Sequence, residues 1–241
     1  MDTSRSFLTD LFEQLTNTNW SALFKTRVNP TTAMAIADAF EVAEHSPECS
    51  HTQAAYSALC TETALQFAAL LDAGIEVIPH LGEGQPYPKS SLMFEDVGER
   101  RIRFFPTISG HGDGSLELDQ TQNPLMADSG VRLGETSLCF NDLFRVVHDI
   151  FGHAMEQNNF YPNGEENAWR SHLRMFSTLA ARALTTETRG QNSWVNYGPN
   201  MRSKLTGRLL HEGDPGWLPI AKRPYAKQKM LLLAQEFCGI G

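Results

Sequence analysis

The sequence predicts a mainly α-helical protein with a small antiparallel β region. Apolar residues recur at the spacing of amphipathic helices in residues 1–73 and again in residues 137–241. Between these two parts, residues 74–136 combine short β-branched runs with frequent glycine and proline, which is typical of strands and loops. We therefore expect helices with a minor sheet in a single domain over residues 1–241.

Three helices are predicted in the first part. Apolar side chains at helical spacing indicate one or two amphipathic helices over residues 5–26. Asn29 and Pro30 are typical of a helix cap and first turn, so a second helix is expected over residues 31–44. The third helix, over residues 51–71, is rich in Ala and Leu.

The middle part is predicted to hold the strands. Residues 74–79 indicate a short strand, and residues 91–96 and 101–106 flank a Val-Gly-Glu-Arg turn that indicates a hairpin. Residues 107–136 have the composition of a loop. The chain then returns to helical periodicity in four segments, which are residues 140–157, 165–186, 201–211 and 222–237.

Charge and cysteine content argue against several classes of protein. The formal net charge is −8, and the chain has no basic run, so it is a poor candidate for binding a nucleic-acid backbone. No apolar run reaches the roughly 18–20 residues of a membrane helix, and the first residues lack the apolar stretch of a signal peptide. The four cysteines are scattered, which favours a cytoplasmic setting and argues against a thiolate zinc site.

The segment His148-Asp-Ile-Phe-Gly-His153 carries the strongest chemical signal in the sequence. Two histidines lie five residues apart on a predicted helix, inside an otherwise apolar stretch. In an ideal α-helix they would be about 140° apart, and a distortion near Gly152 would bring them closer. Two imidazoles placed in this way would converge on one metal ion if the end of the helix is buried.

A carboxylate near the end of the next long helix supplies a candidate third ligand. Glu187 follows an apolar helix face, and a buried carboxylate is costly unless it is paired or bound to a metal. Pairing with Arg189 is the alternative. Together with His148 and His153, Glu187 would form a 2-His-1-carboxylate triad, which is typical of non-haem Fe(II) sites with open coordination positions.

The same residues resemble a known family. The segment from His148 to His153 is similar to the His-Glu-Leu-Leu-Gly-His motif of the pterin-dependent aromatic amino acid hydroxylases, in which both histidines bind iron. Thr185-Thr-Glu187 is similar to the Thr-Val-Glu-Phe motif that supplies the family's third ligand. The resemblance covers residues 140–190 and implies a largely helical hydroxylase catalytic domain, an Fe(II) centre and tetrahydropterin as reductant.

The chain also departs from the family around these motifs. The family's Thr-Pro-Glu-Pro-Asp run before the first iron ligand is absent, and Arg145 occupies a position where the family has Asp. Arg145 lies one turn before His148, so it would bind a substrate carboxylate directly or form a structural ion pair. Asp149 replaces a family Glu near the open coordination positions. No counterpart of the pterin-binding segment is found upstream, which leaves the reductant open.

Polar residues near these motifs provide further candidates. His172 and Glu166 share one stripe of the predicted helix over residues 165–186, and either would partner or ligate the metal ion, unless the stripe is only an amphipathic boundary. Arg189 and Trp194 follow Glu187 and would line a substrate pocket or an ordered loop.

Three other classes of protein share part of this residue pattern. His111-Gly-Asp113 is a His-x-Asp pair like that of 2-oxoglutarate oxygenases, but the helical second half does not fit their β-helix fold. His148-Asp149 would also serve as the metal-binding dyad of an HD-type phosphohydrolase, for which Asp214 is the only Asp that follows. A non-catalytic metal-binding protein would close the site with a fourth protein ligand.

Taken together, these patterns predict a cytoplasmic iron-dependent oxygenase that acts on a small molecule. We expect dioxygen to hydroxylate a small, carboxylate-bearing, amino-acid-like substrate, held by Arg145 or Arg189. Neither nucleic acid nor membrane is an expected partner. The expected site combines the metal ligands His148, His153 and Glu187 with Asp149, Arg145, Arg189 and Trp194.

Overall fold

Within residues 6–107 and 122–239, which this computed structural model describes, eight α-helices and four short strands follow one another. In chain order they are α1 (Ser6–Thr16), α2 (Pro30–Val42), α3 (Ser50–Asp72), β1 (Glu76–Pro79), α4 (Ser90–Gly98), β2 (Arg101–Phe104), β3 (Asp128–Leu133), β4 (Thr136–Cys139), α5 (Phe140–Val147), α6 (Pro162–Leu173), α7 (Thr178–Thr185) and α8 (Gln191–Tyr197). Two π-helical segments, π1 (His148–Ala154) and π2 (Thr186–Gly190), continue α5 and α7. The prediction of a mainly α-helical chain is confirmed.

The predicted helices α2 and α3 are confirmed, whereas α1 is shorter than expected. Asn29 caps α2, because its side-chain oxygen accepts hydrogen bonds from the backbone N–H groups of Thr31 and Thr32 at 2.9 and 3.2 Å. Helix α1 ends at Thr16, and residues 19–29 are not helical. Instead, the side chain of Asn167 on α6 bonds to both the backbone N–H and the backbone carbonyl of Thr26.

The predicted hairpin at residues 91–106 is wrong. Met93 and Val97 lie four residues apart and are both buried, so this segment forms α4 and packs as a helix. Helix α4 is part of the crossover between β1 and β2, which pair in parallel. The antiparallel pair is β3 with β4. Strand β3 lies within residues predicted to be a loop, β4 starts where that stretch ends, and the chain turns at Gly134, whose φ is +58°.

The long helix predicted over residues 165–186 is divided into α6 and α7. Ser177 starts the second helix, since its hydroxyl oxygen accepts a hydrogen bond from the backbone N–H of Ala180 at 3.2 Å. Glu62 of α3 accepts hydrogen bonds from both the backbone N–H and the hydroxyl of Ser177, at 2.7 and 2.5 Å. These contacts fix the break, which the apolar periodicity did not reveal.

The two helices predicted at residues 201–211 and 222–237 are wrong. Residues 201–211 form turns and an isolated antiparallel bridge between Arg202 and Leu209, and most of the final segment is extended apart from short 3₁₀ turns. Its backbone groups bond to other elements instead of to one another. The carbonyl of Met230 accepts from the N–H of Ser46 at 2.8 Å, and the carbonyl of Leu231 accepts from the hydroxyl of Thr186 at 3.0 Å. Tertiary partners have thus replaced a local helical pattern.

The described part of the chain buries three apolar clusters. The first joins α1, the end of α3, the β1–β2 pair, α4 and α5, and the second lies between α3, α5, α6 and α7. The third packs α2 against α8 and the extended C-terminal segment. None of the helices described here combines the length and the apolar character needed to cross a bilayer. Segment π1 lies between the first cluster and α6.

Candidate metal centre

Helix α5 brings His148 to a defined position. The carboxylate of Asp142, in its first turn, accepts hydrogen bonds from the backbone N–H groups of Cys139 at 3.0 Å and Thr107 at 2.7 Å. An acid at this end also interacts favourably with the helix dipole. The apolar side chains of α5 that follow are buried. Both the cap and the packing therefore fix the direction in which the chain enters π1.

The π-helical turn brings together two histidines that are five residues apart. At its end the backbone N–H of Met155 bonds to the carbonyl of Ile150, five residues earlier, at 2.8 Å. Because a π-helical turn holds more residues than an α-helical turn, residues five apart lie closer to one face than they would in an α-helix. The ring centroids of His148 and His153 are 5.1 Å apart, and the rings are nearly perpendicular at 87°.

Glu165, in the first turn of α6, completes a group of three candidate metal ligands. One ligand atom from each of His148, His153 and Glu165 lies within 4.8 Å of the others. Nε2 of His153 is 3.5 Å from Oε2 of Glu165. The side chain of His153 is 2% exposed and that of Glu165 is 28% exposed. The group is therefore buried on the histidine side and partly open to solvent on the carboxylate side. Two imidazoles and one carboxylate are the donors of a 2-His-1-carboxylate site.

Hydrogen bonds leave each histidine with one nitrogen for a metal ion. Nδ1 of His153 is 2.8 Å from the carbonyl oxygen of Asn158, to which it donates, so Nε2 is the nitrogen that carries the lone pair when the ring is neutral. Nδ1 of His148 is 3.0 Å from Nδ1 of His172, so its free nitrogen is also Nε2. The other nitrogen of His172 is 2.8 Å from Oε1 of Gln66, which makes His172 a partner of the ligand and not an alternative ligand.

Burial and charge act in different ways on the two histidines. Burial lowers the pKa of His153, but the carboxylates of Glu165 and Asp149 outweigh burial and raise this pKa to about 9. Burial, together with His153 and His172, holds the pKa of His148 well below its usual value. In the metal-free protein, His153 therefore carries a proton beside Glu165 while His148 is neutral. A divalent cation would displace that proton, because a ligating histidine must be deprotonated.

Arg145 and Asp149 flank His148 in the sequence. The guanidinium of Arg145 donates a hydrogen bond to the carbonyl oxygen of Phe105 at 3.1 Å. Burial lowers the pKa of Arg145, against the effect of the carboxylates of Asp142 and Asp149. Burial also raises the pKa of Asp149 to about 6, although the charges of His153 and Arg145 lower it. A carboxyl group with a pKa near neutrality is suited to take up and release a proton.

The structure does not bring Glu187 into this group. Glu187 lies in π2, where Oε1 accepts a hydrogen bond from the hydroxyl of Tyr56 at 2.5 Å and Oε2 accepts one from Nε2 of Gln191 at 2.7 Å. Burial raises the pKa of Glu187 to about 7, against these two hydrogen bonds. The carboxylate next to the two histidines is that of Glu165, because π1 packs against the start of α6.

Arg189 and Trp194 have other partners within the protein. Arg189 forms a bidentate ion pair with Glu166, at 2.9 and 2.6 Å, and its guanidinium lies 4.1 Å from the centre of the Trp169 ring. Both carboxylate oxygens of Glu166, which the sequence analysis proposed as a further metal ligand, therefore accept hydrogen bonds from Arg189. The indole N–H of Trp194 donates to Glu41, and its ring packs on the third apolar cluster.

The two alternative enzyme families depend on His111 with Asp113 and on Asp214. His111 and Asp113 lie outside the described residues. Asp214, the downstream acid of the phosphohydrolase hypothesis, is in a surface turn, where its two oxygens accept hydrogen bonds from Arg208 at 2.8 and 3.0 Å. The structure therefore gives Asp214 an exposed cation as its partner.

Comparison of the chain with protein-family models, with curated proteins and with solved structures finds no match. Sequence reasoning missed Glu165, which lies only twelve residues after His153. Its position in the first turn after Pro162 is typical of an acid that stabilises a helix N-terminus, so nothing local marks it as a ligand.

Proposed function

We propose that the protein is a non-haem Fe(II) oxygenase whose metal is held by His148, His153 and Glu165. The observation that carries this proposal is the convergence of two imidazoles and one carboxylate within 4.8 Å, with Nδ1 of both rings engaged by His172 and Asn158 on the side away from the group. Three protein ligands of this type leave coordination positions open, and Fe(II) bound there supplies dioxygen chemistry.

The donor set fits Fe(II) for three reasons. Imidazole and carboxylate are borderline and hard ligands, which suit iron better than a thiolate site would. Each imidazole is oriented by a second hydrogen bond on its far side, as metal-ligating histidines usually are. His148, Asp149 and Glu165 are only partly buried, as a centre that admits dioxygen and a substrate requires.

Arg145 and Asp149 are the residues that we expect to handle the substrate. The guanidinium of Arg145 is one turn before His148 and would orient a substrate carboxylate through charge-assisted hydrogen bonds. Asp149, with its raised pKa, would hold or release a proton at its carboxylate oxygens beside the ligands. The substrate proposed is therefore a small carboxylic acid of the amino-acid type, and tetrahydropterin is the reductant that the sequence resemblance suggests.

Metal content tests the centre. In anaerobically prepared protein we expect about one iron per chain, and its loss in His148→Ala and His153→Ala. His211→Ala removes an exposed histidine that is remote from the ligand group in the sequence, and this matched control should retain the metal. Metal retained by both ligand variants would contradict the proposed centre.

Oxygen uptake then tests the activity. Iron-loaded protein, supplied with small amino acids, should consume dioxygen faster with tetrahydropterin than with 2-oxoglutarate as co-reactant. A non-catalytic metal-binding protein would bind iron but consume no dioxygen with either compound. Release of phosphate from nucleotides would instead support the phosphohydrolase alternative, in which Asp149 is a ligand.

A further inference from the structure

A chain of hydrogen bonds leads from His148 into the protein core. Nδ1 of His148 is 3.0 Å from Nδ1 of His172, and Nε2 of His172 is 2.8 Å from Oε1 of Gln66. Nε2 of Gln66 is in turn 3.3 Å from the backbone carbonyl oxygen of Met175. His172 and Gln66 are 0% and 2% exposed, so water does not compete for these contacts.

The backbone carbonyl of Met175, at the end of this series of hydrogen bonds, determines which group donates in each of them. A backbone carbonyl only accepts hydrogen bonds, so the amide of Gln66 must point its NH₂ group at Met175 and its oxygen at His172. That oxygen also only accepts, so His172 must carry its proton on Nε2. Its Nδ1 is then an acceptor, and the proton between the two rings belongs to Nδ1 of His148.

Reversing the direction of these hydrogen bonds would place two acceptors against each other. If His172 donated from Nδ1 to His148 as a neutral ring, its unprotonated Nε2 would face Oε1 of Gln66, and two acceptors would meet. Turning the amide of Gln66 would only move the conflict to the carbonyl of Met175. A buried pair of acceptors without a proton leaves both groups without a hydrogen bond, so the observed direction is strongly favoured.

We propose that His172, held by Gln66, is a positioning residue that fixes the tautomer of His148 and thereby turns the Nε2 lone pair of His148 toward the metal. His172 itself does not touch the metal or the substrate. This inference rests on the proposed metal centre and adds a residue to it that the ligand set alone does not reveal. Hydrogen-bond partners of this kind typically change metal affinity 10–100-fold when removed.

The affinity for Zn²⁺, measured by competition with a chelator, provides the first test. His172→Leu removes the acceptor, and we expect a 10–100-fold weaker affinity. His172→Asn keeps an oxygen near the position of Nδ1, so its affinity should stay much closer to that of the unchanged protein. Phe176→Leu is the matched control, because Phe176 packs edge-on against His172, with ring centroids 4.8 Å apart, and makes no bond to His148.

The tautomer itself is read by long-range ¹H–¹⁵N NMR correlations of the histidine rings in the Zn²⁺-loaded protein. We expect a protonated Nδ1 and a metal-bound Nε2 for His148, both in the unchanged chain and in His172→Asn. Zinc bound through Nδ1, or an unchanged affinity in His172→Leu, would overturn the proposal. If His172→Leu does not fold, the NMR result on the unchanged chain decides.

Failure of this inference can be told apart from failure of the metal centre. If His148→Ala abolishes Zn²⁺ binding and His172→Leu does not weaken it, only the role of His172 is refuted. If His148→Ala binds Zn²⁺ as tightly as the unchanged chain, the centre and the inference both fail.

Discussion

The segments π1 and π2 have the same π-helical backbone conformation, but their side chains have different hydrogen-bond partners. Each continues an α-helix through a widened turn, each contains a glycine in close contact with its neighbours, and each carries an ionisable side chain that sequence analysis proposed as a metal ligand. In π1 the partners His172 and Asn158 bond to Nδ1 of each ring, so Nε2 is the nitrogen that can face a metal ion. In π2 both oxygens of Glu187 accept hydrogen bonds from Tyr56 and Gln191.

This difference shows that a π-helical turn does not by itself make a ligand site. The turn brings side chains together, but the surrounding elements decide whether their lone pairs remain available. In π1 the partners come from α6 and from the loop that precedes it, and in π2 they come from α3 and α8. We therefore expect matched substitutions in the two segments to separate metal binding from stability.

The largest difference is expected between two carboxylate substitutions. Glu165→Gln should weaken Zn²⁺ or Fe²⁺ affinity by more than about 100-fold, because it removes the anionic ligand and not just a hydrogen-bond partner of a ligand. Glu187→Gln should leave that affinity nearly unchanged. Titration against a chelator measures both. A larger loss in Glu187→Gln than in Glu165→Gln would restore Glu187 as the third ligand.

The two glycines provide the next comparison. A Cβ on Gly152 would be 3.0 Å from Nδ1 of His148 and 3.1 Å from the backbone oxygen of Ala168, so Gly152→Ala should displace the ring and cost about 1–3 kcal/mol of stability. On Gly190, the nearest atoms are Cδ1 of Leu233 at 3.0 Å and Cδ2 of Phe40 at 3.2 Å, which belong to side chains and not to the backbone or to a candidate ligand.

Chemical denaturation and metal titration of the two alanine variants test this expectation. Gly152→Ala should weaken both the fold and metal binding, whereas Gly190→Ala should lose less stability and no metal affinity. Equal metal affinity in the two variants would show that the close approach at Gly152 does not hold the ring of His148.

Removal of one hydroxyl should affect π2 alone. Tyr56 is completely buried, and its hydroxyl donates to Glu187 at 2.5 Å, so Tyr56→Phe leaves a carboxylate with one donor fewer. We expect a loss of about 1–3 kcal/mol in the free energy of unfolding and a further rise in the pKa of Glu187, because this hydrogen bond lowers it. Urea unfolding measures the first effect, and unchanged zinc affinity is the control.

The effect that is spread over the widest range of conditions is a dependence of stability on pH. The pKa of Glu187 is raised from 4.5 to about 7 in the folded protein, so the folded state binds more protons than the unfolded state between these values. Its contribution to stability is complete below pH 4.5 and is lost as the pH rises through about 7. The slope for one proton is at most about 1.4 kcal/mol per pH unit.

Metal-free Glu187→Gln should therefore lose less stability than the unchanged chain between pH 4.5 and 7. Both chains share the other titrating groups, including Asp149, so the difference between their unfolding curves isolates Glu187. Parallel curves over this range would show that Glu187 has an ordinary pKa and is not constrained in π2.

Local sequence patterns predicted much of the helical part of the fold. Helices α2 and α3 and the start of α5 follow from apolar periodicity and from the Asn29-Pro30 cap. The final segment was predicted to be helical from the same kind of pattern. It is extended instead, because the backbone groups of Met230 and Leu231 bond to Ser46, His45 and Thr186, which are distant in the sequence.

The sequence by itself determined the helical class and the pair His148 and His153, because helical periodicity and a five-residue spacing are local properties. Only the tertiary structure selected the carboxylate. Glu165 and Glu187 lie 12 and 34 residues after His153, and both are plausible ligands along the chain. The packing of π1 against α6 places Glu165 beside the histidines, while Tyr56 and Gln191 occupy the oxygens of Glu187. Ligand choice depends on contacts between distant segments, which no local pattern encodes.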